Sequence, residues 1–116
     1  MAYLNREAIL NADDIKTKEV EVPEWGGTIV LKMMTGRERD AFESSLVKNG
    51  KANVDNVRAK LVQASVIDPE TKELMFSVAD IEALGKKSAS ALTKVFAAAQ
   101  KLSKITESDV EELTKN

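Results

Sequence analysis

Carboxylates, arginines and hydroxyls are the side chains that could do chemistry in this 116-residue sequence, because it contains no His and no Cys. That composition excludes disulfides, thiolate nucleophiles, zinc sites built from Cys and His, and a Ser-His-Asp arrangement. Acid–base catalysis or Mg²⁺ binding would need carboxylates held in a dry pocket, whereas the clustered acids fall at predicted helix ends and turns. These acids are Asp13-Asp14, Asp68 with Glu70, and Glu111-Glu112. We therefore predict no catalytic residue, cofactor or metal site.

Two arginines at the start of a predicted helix are the remaining candidates for ligand chemistry. Arg37 and Arg39 could hold an anion, because the N-terminus of a helix attracts negative charge. They could equally be surface charges beside Glu38, Asp40 and Glu43, since exposed ion pairs of this kind are common. Neither glycine-rich phosphate-loop pattern occurs in the sequence, so it does not predict a nucleotide site.

The overall charge and hydropathy argue against nucleic acid and membrane partners. The formal net charge is −2, and the Lys and Arg residues form no basic stripe. No apolar run approaches the roughly 20 residues that span a bilayer, and the N-terminus lacks the apolar region of a signal peptide. With 43% apolar and 31% charged residues, the composition is that of a globular protein. We expect a cytosolic protein with one domain over residues 1–116.

An alternating apolar pattern over residues 17–34 predicts a β-hairpin. Its turn is placed at residues 24–27, because the two glycines there adopt positive φ without steric cost. The predicted cross-strand pairs are Val22 with Ile29, Val20 with Leu31, and Glu19 with Lys32. We expect the four apolar members of these pairs to be buried, because an isolated two-stranded hairpin is marginal in water.

Short helices account for most of the remaining sequence. Capping-box patterns mark helix starts at Thr35 and Ser77, and Asn49-Gly50 is typical of a helix stop. Apolar residues at helical spacing support each segment. The predicted helices cover residues 4–12, 35–48, 54–67, 77–84, 86–103 and a last segment from 106. The predicted fold is mainly α: a small α+β domain of five or six short helices with one N-terminal β-hairpin.

Particular side chains are expected to define these helices. Asn5 and Asn53 are predicted to cap the helices that follow them. Phe42 and Leu46 are predicted to form the inward face of the second helix, and Val54 to begin the apolar face of the third.

Trp25 and the Met33-Met34 pair are the apolar residues for which the sequence offers the least core. Trp25 either folds back onto a helix or meets a partner, because Trp is well buried on average and also enriched at interfaces. Met33 and Met34 face opposite sides of a strand, so one of them is available for an adaptable apolar interface.

One continuous stretch carries a family resemblance. Residues 20–43, VEVPEWGGTIVLKMMTGRERDAFE, contain a strand ending in P-x-W-G-G, a second strand, and a T-G-x-E-R-D-x-F-E helix start. This stretch is similar to the N-terminal region of tail assembly chaperones of long-tailed, lambda-like phages. The helices that follow also agree in order and length, so the resemblance extends over most of the chain.

The resemblance implies a chaperone in the cytoplasm of the infected or lysogenic host. Such a protein binds the tape measure protein, helps to recruit tail tube subunits, and is absent from the finished virion. Members tend to self-associate, so we expect a homo-oligomer. They are commonly made in a short form and a longer frameshifted form, and the latter is expected to reach the tail tube protein.

Two further predictions concern the partner-binding surface and the end of the chain. The candidate partner-binding residues are Trp25, Met33, Met34, Arg37, Arg39 and Phe42. The final Thr114-Lys115-Asn116 could be encoded by A AAA AAC, a slip-competent heptamer, or by other codons that do not slip. The competing hypothesis for the whole chain is a structural virion component, such as a head–tail connector or a tail accessory protein.

Overall fold

The computed structural model describes residues 3–104 and has five α-helices and five β-strands within that range. The helices are α1 (Arg6–Leu10), α2 (Gly36–Ser45), α3 (Val57–Ser65), α4 (Ile81–Gly85) and α5 (Ala89–Ser103). The strands are β1 (Thr17–Val22), β2 (Gly27–Lys32), β3 (Val47–Lys48), β4 (Lys51–Ala52) and β5 (Val66–Ile67). The architecture is a small α+β fold with an N-terminal hairpin, as predicted. Between residues 3 and 104, no helix has the length and apolarity needed to cross a bilayer.

The β1–β2 hairpin forms where the alternation predicts it, but the predicted register is wrong by two residues. The observed cross-strand pairs are Val20–Ile29, Val22–Gly27, Glu19–Val30 and Thr17–Lys32. Because side chains alternate along a strand, a shift of two residues leaves each side chain on its predicted face. Val22 and Leu31 are fully buried, which confirms the burial expected of them. Val20 and Ile29 are only partly buried against the core.

The turn explains the register. Residues Pro23–Trp25 form a single turn of 3-10 helix, which closes when the Gly26 N–H donates to the Pro23 carbonyl at 3.0 Å. Gly26 has a φ of +76°, the left-handed conformation that glycine adopts without a Cβ clash. The loop therefore needs only residues 23–26, and β2 begins at Gly27 instead of after it.

A third strand completes the sheet, which has the order β1-β2-β5. Val66 and Ile67 pair antiparallel with Leu31 and Val30 of β2. The prediction of a helix through residue 67 is wrong at these two positions, because β-branched residues favour a strand when an open edge is within reach. Helix α5 packs across β1 and β2, so the hairpin gains both a neighbouring strand and a covered face.

Asn49-Gly50 form the turn of a second small hairpin, and the prediction of a helix stop there is wrong. Helix α2 ends at Ser45, and β3 then pairs antiparallel with β4. The φ angles are 55° at Asn49 and 75° at Gly50, as a two-residue type I′ turn requires. An Asn-Gly pair suits either a helix end or a hairpin turn. Here the residues on its two sides, Val47-Lys48 and Lys51-Ala52, pair as strands β3 and β4.

Both predicted capping boxes are present. The Thr35 hydroxyl accepts a hydrogen bond from the Glu38 N–H at 3.1 Å, and the Glu38 carboxylate accepts one from the Thr35 N–H at 2.8 Å. The Asp80 carboxylate accepts one from the Ser77 N–H at 2.8 Å, at a 3-10 turn that leads into α4. These contacts satisfy backbone donors that a helix start leaves unpaired.

Helix α3 begins later than predicted. Asn53 donates its N–H to the Leu46 carbonyl at 2.7 Å, which keeps it beside the second hairpin and away from the helix start. The residue before α3 is Asn56, in the left-handed conformation with φ 54°. Val54 is 53% exposed, so its assignment to the apolar face of α3 is wrong.

The core lies between the sheet and helices α2, α3 and α5. Phe42 and Leu46 point into it, as predicted. The apolar stripe of α5 is confirmed: Leu92, Val95 and Ala99 are buried, and Phe96 and Leu102 are partly buried against the core. The predicted last helix from residue 106 and the chain end at Asn116 lie outside the described residues.

An N-terminal arm, residues 3–14, stands apart from this core. Asn5 caps α1, as predicted, because its side-chain oxygen accepts from the Ala8 N–H at 2.8 Å. Every residue of the arm is exposed. Leu4 is 74% exposed and Ile9 is 58% exposed, so the arm presents apolar side chains that the described fold does not cover.

Candidate functional site

An apolar groove of about 220 Å³ lies between α2, α3 and the segment of residues 74–81 that leads into α4. Its apolar walls are formed by Ala41, Phe42, Ala64, Leu74, Val78 and Ile81. We call this surface the apolar groove. Its walls combine buried residues such as Phe42 with the 74%-exposed Val78, so the groove runs from the core to solvent.

Local sequence spacing places the two helical walls. Residues three and four apart lie on the same face of a helix. In α2 this spacing aligns Glu38, Ala41, Phe42 and Ser45 toward the groove, and in α3 it aligns Lys60 with Gln63 and Ala64. The third wall follows from the Ser77–Asp80 capping box, which orients the chain as it enters α4.

Hydrogen bonds at the rim hold these walls together. The Lys60 ammonium donates to the Ser45 carbonyl at 2.9 Å and so joins α3 to the end of α2. The Gln63 amide donates to the Phe76 carbonyl at 3.1 Å and joins α3 to the third wall. Because both polar side chains are engaged with backbone carbonyls, the surface left to a ligand is mainly apolar.

Among the residues that line the groove between positions 3 and 104, Glu38 is the one carboxylate, and it is already paired. Partial burial tends to raise the pKa of Glu38, but hydrogen bonds from the Lys32 ammonium and the Thr35 N–H outweigh it and leave this pKa below its ordinary value. Glu38 is therefore an ionised structural partner of Lys32, and a proton-transfer role is not supported.

The size and lining of the groove suit apolar side chains. Its volume of about 220 Å³ is below the roughly 300–1,000 Å³ of small-molecule pockets. The groove is therefore suited to a few apolar side chains of a partner segment, and not to a drug-sized molecule. Between residues 3 and 104, no three His, Cys, Asp or Glu side chains are grouped to hold a metal ion.

The tip of the first hairpin, with Trp25, lies at the N-terminal end of α5. The Glu24 carboxylate accepts hydrogen bonds from the Ser90 hydroxyl at 2.7 Å and from the Lys94 ammonium at 3.0 Å. The hydrogen bond from Ser90, a backbone hydrogen bond and the Lys94 contact together lower the pKa of Glu24 to about 2. Trp25 is partly buried against the core, which agrees with the fold-back alternative while leaving part of the ring accessible.

Met33 and Met34 lie at the opposite end of α5. The Met34 N–H donates to the Ser103 hydroxyl at 3.2 Å, and Met34 is buried while Met33 is partly exposed. Ser90 and Ser103 are thirteen residues apart on α5, which corresponds to about 20 Å of helix. The structure therefore does not bring Trp25 and the two methionines into one contact surface.

The three remaining predicted residues, Arg37, Arg39 and Phe42, lie in different surroundings. Arg39 donates to the Ser103 carbonyl at 3.3 Å and lies 3.5 Å from Glu43, the predicted ion pair within α2. Arg37 is exposed. Phe42 lines the groove, and it is the one member of the predicted set that does so.

The sequence pattern did not indicate most of the groove walls. Ala41 and Ala64 carry no signal beyond helical spacing, because small apolar residues are common on any helix. Leu74 and Val78 did carry a signal in the sequence, since both are apolar residues in a polar connecting segment. Their pairing with α2 and α3, however, depends on how the chain folds back after Ile67.

Comparison with known proteins finds similarity to a solved structure. No protein-family model matches the sequence, and no curated protein matches it. The chain is similar to the structure of the bacteriophage HK97 tail assembly chaperone, with a TM-score of 0.58 and 20% sequence identity. The similarity covers 83% of this chain and 94% of the HK97 chain. The resemblance drawn from residues 20–43 is thus confirmed at the level of the fold.

Proposed function

We propose that this protein is a phage tail assembly chaperone that holds a segment of the tape measure protein in the apolar groove. The observation that carries the proposal is the fold similarity, which covers 94% of the HK97 tail assembly chaperone. The chaperone-like stretch at residues 20–43 supports it independently, because that resemblance comes from residue types and their order. The proposed protein binds its client and is not an enzyme.

The groove suggests how the client is held. A tape measure protein is long and helical, and its apolar faces remain exposed until the tail tube surrounds it. Two apolar side chains of such a helix, three or four residues apart, would enter the groove by helix-in-groove recognition. Binding is then passive. The chaperone shields these apolar side chains from other chains and releases them when the tail tube surrounds the tape measure protein.

The other parts of the proposal concern assembly. We propose that the protein acts in the host cytoplasm, self-associates, and leaves before the virion is complete. A longer frameshifted form would carry an additional segment beyond this domain that recruits the tail tube protein. Tethering the two activities raises the effective concentration of tube subunits at the tape measure protein.

A co-expression experiment tests the groove. The tape measure protein is produced with the wild-type chain, with Val78→Asp, or with the matched control Val54→Asp, and its soluble fraction and co-purification are measured. Both valines are exposed, at 74% and 53%, but only Val78 lines the apolar groove. A buried carboxylate without a partner is unfavourable, so Val78→Asp is expected to lower co-purification by about tenfold or more.

The control variant is expected to retain wild-type co-purification. Equal retention by both variants would place the client on another surface. Failure of the wild-type chain to bind or solubilise the tape measure protein would refute the chaperone proposal. Mass spectrometry of purified phage particles separates the proposal from a structural virion role, because a connector or tail accessory protein remains in the particles.

A further inference from the structure

Helix α5 belongs to a basic stretch of the chain, and an acidic segment follows it directly. From Ala83 to Thr106 the sequence contains five Lys and no Asp or Glu. The next six residues, 107–112, contain four acids, which are Glu107, Asp109, Glu111 and Glu112. Charges of opposite sign are thus segregated into two adjacent stretches. We call residues 107–112 the acidic segment.

The lysines of α5 lie on the side of the helix that faces solvent. Lys94 and Lys101 are seven residues apart, so they differ by about 20° around the helix axis, and Lys104 lies about 60° further in the same direction. All three lysines are exposed, and so is Ala97, which lies among them. We call the surface formed by these four residues the lysine face.

The described part of the chain compensates only a part of this positive charge. Within residues 3–104, the one carboxylate that forms an ion pair with the lysine face is Glu24, at 3.0 Å from Lys94. The other two lysines of the face take part in none of the ion pairs of those residues. Arg39 donates to the backbone at the same end of α5, and its own charge is balanced by Glu43. The C-terminal half of the lysine face is therefore positively charged.

The acidic segment is long enough to lie along this face. Lys104 follows α5 in the left-handed conformation, with a φ of 56°, in which helices commonly end and the chain changes direction. Lys94 lies about 15 Å back along the helix from Lys104, at about 1.5 Å per residue. In an extended chain, the residues from Glu107 to Glu111 reach up to about 10–23 Å from Lys104. In a helix, Glu107 and Glu111 would share one side and reach the nearer lysine, Lys101.

We propose that the acidic segment folds back on the lysine face of its own chain and covers it. Exposed ion pairs are individually weak, but the covalent tether holds the carboxylates at a high effective concentration, so several pairs form together. The cover is reversible and sensitive to salt, because added ions screen exposed charges. While it is in place, another anionic surface binds the lysine face only by displacing the segment. The contact involves neither the apolar groove nor the client, so it goes beyond the proposed function.

Two introduced cysteines report the contact, because the chain has no cysteine of its own. Ala97→Cys lies on the lysine face and Ser108→Cys lies in the acidic segment, and the rate of internal disulfide formation is measured in dilute protein under mild oxidation. The matched control has the same two cysteines and the four acids replaced by their amides, so the tether is unchanged. The acidic chain is expected to react at least about fivefold faster at low salt and to lose this advantage near about 1 M salt. Carboxylates beside a thiol disfavour its reactive thiolate, so a faster reaction of the acidic chain reports docking.

Three results would overturn the cover. Equal rates in the acidic and amide chains would mean that charge does not bring the segment to α5. Adding Lys101→Gln to the acidic chain is expected to slow the reaction about twofold, whereas Lys51→Gln, at an exposed lysine of β4, should leave it unchanged, so equal effects would mean that the segment docks elsewhere. In a mixture of the two single-cysteine chains, a disulfide between chains that forms as fast as the internal one would mean that the segment covers another copy. Circular dichroism confirms that each variant is folded, which is expected because Ala97 and both lysines are exposed.

Discussion

Truncating the centre of the sheet should reveal how much of the stability depends on the contact between the hairpin and the helices. Leu31 lies in β2, between β1 and β5, and its side chain is 0% exposed. The change Leu31→Ala keeps the strand backbone and removes three carbon atoms from the core. Any loss of stability therefore reports on side-chain packing and not on the hydrogen-bonded ladder.

Two contributions determine the expected loss. The removed carbons cost about 2 kcal/mol in lost burial, since each buried methylene contributes roughly 0.8 kcal/mol. If the core does not collapse, the three carbons leave a cavity of about 90 Å³, at about 30 Å³ each. At about 24 cal/mol per Å³, this cavity adds about 2 kcal/mol. We expect a decrease of about 2–4 kcal/mol in the free energy of unfolding, against a total of roughly 5–15 kcal/mol for a domain of this kind.

Urea denaturation followed by the fluorescence of Trp25, the single Trp of the chain, measures this difference. The matched control is Leu10→Ala, the same change at a side chain that is 65% exposed, and it is expected to stay within about 0.5 kcal/mol of wild type. A loss below about 1 kcal/mol for Leu31→Ala, or an equal loss in both variants, would show that β2 does not pack as described.

Three further predictions test the caps and the turn. The pKa of Glu24 is about 2 in the folded protein against an ordinary value of 4.5, so its stabilisation is complete above about pH 4.5 and is lost as the pH falls toward 2. Glu24→Gln should flatten the pH dependence of the unfolding free energy in that window, and a curve parallel to wild type would contradict the contact. Removing Lys32 and Glu38 singly and together, each by Ala, should give a coupling free energy of about 1 kcal/mol in a double-mutant cycle, because the pair is only partly buried. A coupling indistinguishable from zero would mean that the pair contributes nothing. Gly26→Ala should cost about 1–2 kcal/mol because its φ is +76°, whereas Gly27→Ala, with equally open space around it, should be nearly neutral in the same denaturation assay. Similar costs at the two positions would exclude backbone strain as the cause.

The parts of the fold that were predicted correctly depend on short-range patterns. The capping boxes at Thr35 and Ser77 join residues three apart, and alternation within residues 17–34 assigns each side chain to a face of the hairpin. In these cases the hydrogen-bonding partner or the neighbouring side chain lies within one turn or one strand, so the sequence contains the whole interaction.

The errors occur where two local structures are both allowed and a distant contact selects between them. Val66 and Ile67 continue an apolar helical stripe, but they also suit a strand, and the open edge of β2 decides in favour of the strand. Asn49-Gly50 suits both a helix end and a hairpin turn. Likewise, the Pro23–Gly26 loop closes one residue earlier than the predicted turn, which shifts the cross-strand register of the hairpin by two residues.

The candidate site shows the same division. By itself the sequence determined that no His or Cys chemistry is available, that apolar stripes run along the helices, and that residues 20–43 resemble those of a tail assembly chaperone. Only the tertiary structure decided which stripes meet. The groove combines α2, α3 and residues 74–81. The hairpin tip contacts α5 at Ser90 and Met34 contacts it at Ser103, about 20 Å further along the helix. The physical reason is that caps and turns depend on hydrogen bonds between residues a few positions apart, whereas a groove depends on packing between segments tens of residues apart, whose relative position no short pattern specifies.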